Sequence, residues 1–110
     1  MKLHLEEVIP IMLSAAEQPL MKEWPTVAPV AREQMTNIAE EIAIIQAQHD
    51  SAWMGRDDSR DALDQARARA IERLAGLEGV GRDMAALAVN NAMCAVTGIV
   101  NHAVGFSLIE

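Results

Sequence analysis

The 110-residue chain is poor in aromatic side chains, with no tyrosine, one phenylalanine and two tryptophans. A core must therefore be filled by aliphatic residues, and 19 alanines and seven methionines supply much of that volume. Both residue types favour helices, whereas runs of the β-branched and aromatic residues typical of strands are scarce. The composition predicts an all-α fold.

Cysteine is nearly absent as well, because Cys94 is the only one in the sequence. A single cysteine excludes an intramolecular disulfide. The N-terminal segment also lacks the charged, then apolar, then small-residue pattern of a secretory signal. We therefore expect a cytoplasmic protein. The length and the lack of repeats or linkers predict one helical domain spanning residues 1–110.

Positive charge is in short supply, with nine Lys and Arg against 16 Asp and Glu, for a formal charge of −7. Such a balance repels phosphate backbones, so we expect no nucleic-acid partner. Five arginines do lie between Arg56 and Arg73, but acidic residues alternate with them. That mixture is typical of an exposed helix with local ion pairs.

Apolar residues at helical spacing predict about four helices, near residues 4–18, 29–54, 58–77 and 82–106. The second is the clearest, because seven residues in it are spaced alternately by four and by three: Ala31, Met35, Ile38, Ile42, Ile45, His49 and Ala52. This heptad pattern is typical of a helix that packs along another at a shallow angle. We predict a bundle of about four helices, and a helical dimer.

Three prolines precede the second predicted helix, at Pro19, Pro25 and Pro29. Proline lacks the backbone N–H and restricts the residue before it to extended conformations. The segment between the first two helices is therefore predicted to be a rigid, partly extended connector. Trp24, which lies within it, is expected to pack onto the bundle.

No charged residue occurs between Asp83 and Glu110, a length that raises the possibility of a membrane span. On a helical wheel, however, the polar residues fall mainly on one side, and no Lys or Arg follows Arg82 to anchor the far end. We therefore expect no membrane contact. The polar residues of this stripe are Asn90, Asn91, Cys94, Thr97, Asn101 and His102.

Three interpretations of the stripe remain open. Small side chains and amides suit close packing against a helix of a second copy, which predicts a homodimer acting as an accessory or interaction protein, with a further protein partner as an option. The stripe could instead line a small-molecule pocket between helices two and four, with His49 and Trp53 completing its walls. The third interpretation is plain exposure to solvent.

The acidic balance also admits an inhibitor or immunity-type protein that covers a basic partner. In size and helical class the chain is similar to the all-α nucleotide pyrophosphatases of the MazG group, which hold Mg²⁺ with paired E-x-x-E and E-x-x-D motifs. Neither motif occurs here, so no residue is carried over from that family.

Signals for catalysis are weak throughout the sequence. Adjacent residues such as His49 and Asp50 point about 100° apart on a helix, and Cys94 lies in an apolar segment without the positive charge that activates a thiol. No recognised metal-ligand spacing or phosphate loop is present. We predict no catalytic residues, no metal site and no cofactor, and the sequence favours a protein without enzymatic activity over an enzyme.

Overall fold

The computed structural model describes residues 3–109, and within that range the chain is helical and contains no strand. The all-α prediction is therefore confirmed. Five α-helices occur in the described part of the chain, and a short 3-10 turn (Gln18–Leu20) follows the first. They are α1 (Leu5–Glu17), α2 (Trp24–Asp50), α3 (Arg56–Ala75), α4 (Arg82–Ala95) and α5 (Thr97–Val104).

The first four helices form a closed ring in which each packs on two neighbours. α1 lies between α2 and α4, and α3 lies between α2 and α4 on the other side. Short connections make successive helices antiparallel. An ion pair of 3.7 Å between Glu33 near the start of α2 and Arg73 near the end of α3 agrees with that direction. α5 then crosses one end of the bundle and packs on α2 and α4.

The heptad pattern of α2 forms the centre of the core. Ala31, Met35, Ile38, Ile42 and Ile45 are all buried, as predicted. Met12 of α1, Leu74 of α3 and three alanines of α4 (Ala85, Ala88 and Ala92) share one buried cluster with them. Because alanines supply so much of α3 and α4, these helices can approach closely without large side chains between them.

The last two heptad positions depart from the prediction. His49 is half-buried, and Ala52 is exposed because α2 ends at Asp50. Ala52 takes a left-handed conformation, with φ of 62°. Its N–H donates to the carbonyl of His49, and the N–H of Trp53 donates to that of Gln48. This is a Schellman motif, which usually has glycine at the left-handed position.

The predicted extended connector before the second helix is wrong. The 3-10 turn Gln18–Leu20 contains Pro19, and α2 begins at Trp24, five residues before the predicted start. Pro25 lies in the first turn of α2, where its missing N–H has no intrahelical partner to lose. Pro29 lies in the second turn and is exposed. Trp24 is half-buried against the core.

The predicted single helix over residues 82–106 is bent by 55° at Val96 into α4 and α5. Val96 has a non-helical ψ of 7°, and its N–H donates to Met93 three residues back. The Thr97 hydroxyl also donates to the Met93 carbonyl, at 3.0 Å. Val96 and Val100 are both buried, so the bend directs the chain across the end of the bundle.

The folded chain has a solvent-accessible surface of 6229 Å². A folded monomer of this mass is expected to expose about 6,000 Å². The total area that one chain exposes is therefore that of an ordinary folded monomer.

Candidate functional site

The outer face of α4 differs in charge from the rest of the bundle surface. The exposed positions of α2 and α3 are mostly acidic, basic or amide side chains, whereas no charged residue follows Asp83 in α4 or occurs in α5. Leu87 is 51% exposed and Met84 is 39% exposed on this face. We call the following residues the uncharged face: Met84, Leu87, Asn90, Asn91, Cys94 and Ala95.

The bend at Val96 divides the predicted polar stripe into two parts. Asn90, Asn91 and Cys94 lie on α4, whereas Asn101 and His102 lie on α5, which runs in another direction. Asn90, Cys94 and His102 are exposed, and Asn91 is half-buried. Thr97 begins α5, and its hydroxyl donates a hydrogen bond to the Met93 carbonyl of the same chain. The six residues therefore do not form one continuous stripe.

Asn101 holds the C-terminal segment of its own chain. Its Nδ2 donates to the Ile109 carbonyl at 2.9 Å, and its Oδ1 accepts the Ile109 N–H at the same distance. Gly105 reverses the chain between them with φ of 87°. Phe106, Leu108 and Ile109 are buried by this return. The amide of Asn101 therefore forms hydrogen bonds within its own chain. We had expected it to form them with a helix of a second copy.

His49 and Trp53 lie at the end of α2, in different surroundings. The Nδ1–H of His49 donates to the Met54 carbonyl at 3.1 Å, since a carbonyl can only accept. Its ring lies 4.6 Å from the ring of Phe106 between centroids. The guanidinium groups of Arg56 and Arg60 lie over the same phenylalanine. Trp53 is 86% exposed. His49 therefore packs against the C-terminal segment.

Three predicted site residues do come together, in a depression of about 230 Å³ facing α3. Asn90, Cys94 and Thr97 line it, with Arg67 of α3 and Ile109 on the other side. The predicted pocket had α2 as its second wall, but α2 and α4 lie diagonally across the ring. Cys94 has a free, exposed thiol. Within residues 3–109, no hydrogen bond joins it to a histidine or carboxylate that could activate it.

Two buried glutamines were missed by the sequence reasoning. Gln46 accepts the Leu3 N–H at 3.2 Å and donates to the Ala103 carbonyl at 2.9 Å, so it joins the first described residue to α5. Gln34 is also buried and lines a cleft between α2 and α3. Both continue the helical spacing of the apolar residues, with Gln46 four residues after Ile42 and Gln34 three after Ala31. That spacing is the signal that could have identified them.

Ionic groups pair locally along α3, as the alternating charges predicted. Arg60 pairs with Asp57, Arg67 with Asp64, and Glu72 with Arg82 of α4. Among the described residues, no three His, Cys, Asp or Glu side chains are placed to hold a metal ion.

Within residues 3–109, no single helix is long and apolar enough to cross a bilayer. α4 and α5 would meet the criterion of length and composition only as a bent pair.

Comparisons with family models, with curated proteins and with solved structures find no match for this chain.

Proposed function

We propose that the chain is a small accessory protein of the cytoplasm that acts as a homodimer, without catalysis of its own. The uncharged face of α4 would be its contact surface. The single observation behind this proposal is an exposed helical face that carries Met84 and Leu87 and has no charged residue after Asp83 in the first turn of α4. An exposed helix of a soluble bundle normally carries Lys or Glu at such positions.

Charge favours a second copy as the occupant of this face. Each chain has a formal charge of −7, so two copies that met through their acidic surfaces would repel one another. The uncharged face is where identical chains can approach without opposing like charges. A two-fold contact would place this face against itself, the commonest arrangement of soluble dimers.

The size of the bundle is compatible with such a contact. It measures 42 × 23 × 19 Å along its principal axes. The 14 residues of α4 span about 21 Å, so a standard interface of roughly 800 Å² per partner would also include surface beside the uncharged face. Asn90 and Asn91 could form hydrogen bonds across the contact that fix the register of the two helices.

Light scattering of the purified protein at micromolar concentration tests the proposal. We expect a mass twice the 12.0 kDa of one chain. Leu87→Glu should reduce that mass to one chain, because a carboxylate would be buried in the contact. Ile44→Glu is a matched control, since Ile44 on α2 is 49% exposed, almost as much as Leu87. We expect this variant to stay dimeric.

Two results would contradict the proposal. A monomeric mass for the unaltered protein would exclude self-association in this concentration range. A dimer that survives Leu87→Glu would show that the contact lies elsewhere. Circular dichroism of each variant separates loss of the dimer from loss of the fold.

A further inference from the structure

A cleft of about 240 Å³ lies between α2 and α3, on the side of the bundle away from the uncharged face. Its lining combines a small apolar floor, formed by Ile38 and Ala66, with amide, guanidinium and carboxylate groups. The cleft exists because Ala66 is too small to fill the space opposite α2. The polar lining residues are Glu33, Gln34, Asn37, Arg69 and Arg73.

Gln34 is the unusual member of this lining. It is only 4% exposed, yet in residues 3–109 its side chain makes a single hydrogen bond, from Nε2 to Glu33 at 3.4 Å. That bond is longer than the usual N–H···O distance of about 2.9 Å. A buried amide normally satisfies more of its donors and acceptors, because leaving them unpaired is unfavourable. Among the described residues, no buried side-chain N or O atom lacks a partner, so the unbonded part of the Gln34 amide is reached by solvent. Gln34 lines the cleft, and its second N–H is not used by any bond within residues 3–109.

The two arginines of the cleft differ in their pairing. Arg73 lies 3.7 Å from the Glu33 carboxylate, an ion pair between largely exposed groups. Arg69 has no ion pair or hydrogen bond to any side chain among the described residues, whereas Arg67 on the opposite flank of α3 is paired with Asp64. Arg69 and Arg73 are four residues apart, so they are neighbours on the helix and repel each other. An anion between them would remove that repulsion.

We propose that this cleft binds a small oxyanion, a carboxylate or a phosphate group, through Arg69, Arg73 and the Gln34 amide. Guanidinium groups match the geometry of both anions. Gln34 and Asn37 add neutral N–H donors from α2. The cleft is smaller than the roughly 300–1,000 Å³ of sites for drug-sized ligands, so the ligand is a small metabolite. This site is independent of the proposed dimer contact.

Glu33 competes with the ligand for Arg73. Because the Glu33 side chain is 59% exposed, its carboxylate can move into water when an anion arrives. Removing its charge should therefore strengthen anion binding, whereas removing the charge of Arg69 should weaken it. Removing the charge of Arg67, which lies outside the cleft, should leave anion binding unchanged. A nonspecific effect of net charge would instead weaken binding equally for Arg67 and Arg69.

Titration of ¹⁵N-labelled protein with inorganic phosphate, and separately with acetate, tests the site at constant ionic strength. We expect saturable amide shifts confined to residues 33–38 and 66–73. Arg69→Gln should raise the dissociation constant at least tenfold, and Glu33→Gln should lower it several-fold. Arg67→Gln, which removes the same charge from the same helix, should leave it within twofold. The anion that binds more tightly identifies the ligand class.

The proposal is overturned if neither anion gives saturable shifts at these amides. It is also overturned if Arg69→Gln and Arg67→Gln weaken binding equally, because the anion would then respond to overall charge alone. Leu87→Glu should make the protein monomeric but leave anion binding unchanged. The dimer proposal and the anion-site proposal can therefore fail separately.

Discussion

The side-chain amide of Asn101 forms both hydrogen bonds with the backbone of Ile109, each 2.9 Å long. This arrangement resembles the pairing of two strand residues, with a side chain in place of one backbone. It closes the turn that begins at Gly105 and presses Leu108 and Ile109 into the core. The amide therefore stabilises the bundle by fixing its last segment.

Substitution of Asn101 tests this role. Asn101→Leu removes both hydrogen bonds, and we expect it to lower the free energy of unfolding by about 2 kcal/mol. Asn101→Asp keeps an acceptor for the Ile109 N–H but places a carboxylate near the Ile109 carbonyl. We expect a loss of about 1 kcal/mol or more. Urea unfolding gives these values, and hydrogen exchange at Ile109 should accelerate in both variants. Unchanged exchange there would contradict the role.

Gln46→Leu should be more harmful than its similar volume suggests. The substitution leaves the Leu3 N–H and the Ala103 carbonyl without their Gln46 partner at a buried position. Each unpaired buried group costs about 1–3 kcal/mol, so we expect a total loss near 3 kcal/mol in thermal or urea unfolding. Gln48→Leu, at an exposed position of the same helix, is the control and should change stability by less than about 0.5 kcal/mol.

Phe106 should contribute strongly to stability, as the only phenylalanine and a buried contact of His49. We expect Phe106→Ala to lower the free energy of unfolding by about 3 kcal/mol. Arg56→Gln removes only one cation–π contact and should cost about 0.5 kcal/mol. Similar losses in the two variants would mean that the ring contributes little beyond that contact.

Two left-handed residues give opposite expectations. Ala52→Gly should stabilise the protein by about 0.5–1 kcal/mol, because glycine takes a positive φ without the steric penalty of a Cβ. Gly105→Ala should destabilise it by about 1 kcal/mol for the same reason, although a Cβ there would meet no atom within 4 Å. Differential scanning calorimetry of the pair provides the measurement. A shift of the same sign in both variants would contradict the assignment of these turns.

Residues with helical periodicity were predictable from the sequence, and those whose conformation depends on distant contacts were not. Ile38, Ile42 and Ile45 follow the spacing of a buried helix face, and they are buried. The end of α2 was placed too late because Ala52, an ordinary helix former, takes the left-handed position that glycine usually fills.

The bend at Val96 had no glycine or proline at that position to reveal it. It depends on the burial of Val96 and Val100 at the end of the bundle, which is a property of the assembled fold. The candidate site was affected directly, since a helical wheel assumes a straight helix. Asn101 was placed beside Asn90 on that wheel, whereas in the structure it binds Ile109.

Gln46 also shows that two segments far apart in the sequence lie close together in the fold. Its amide touches Leu3 at one end of the described chain and Ala103 near the other, so both ends lie on the same side of the ring of helices. A circular permutant could therefore connect those ends with a short linker and open the chain between α3 and α4, where Gly76, Gly79 and Gly81 are exposed. The four pairwise contacts between α1, α2, α3 and α4 would be the same in the permutant, although its chain would start at a different helix.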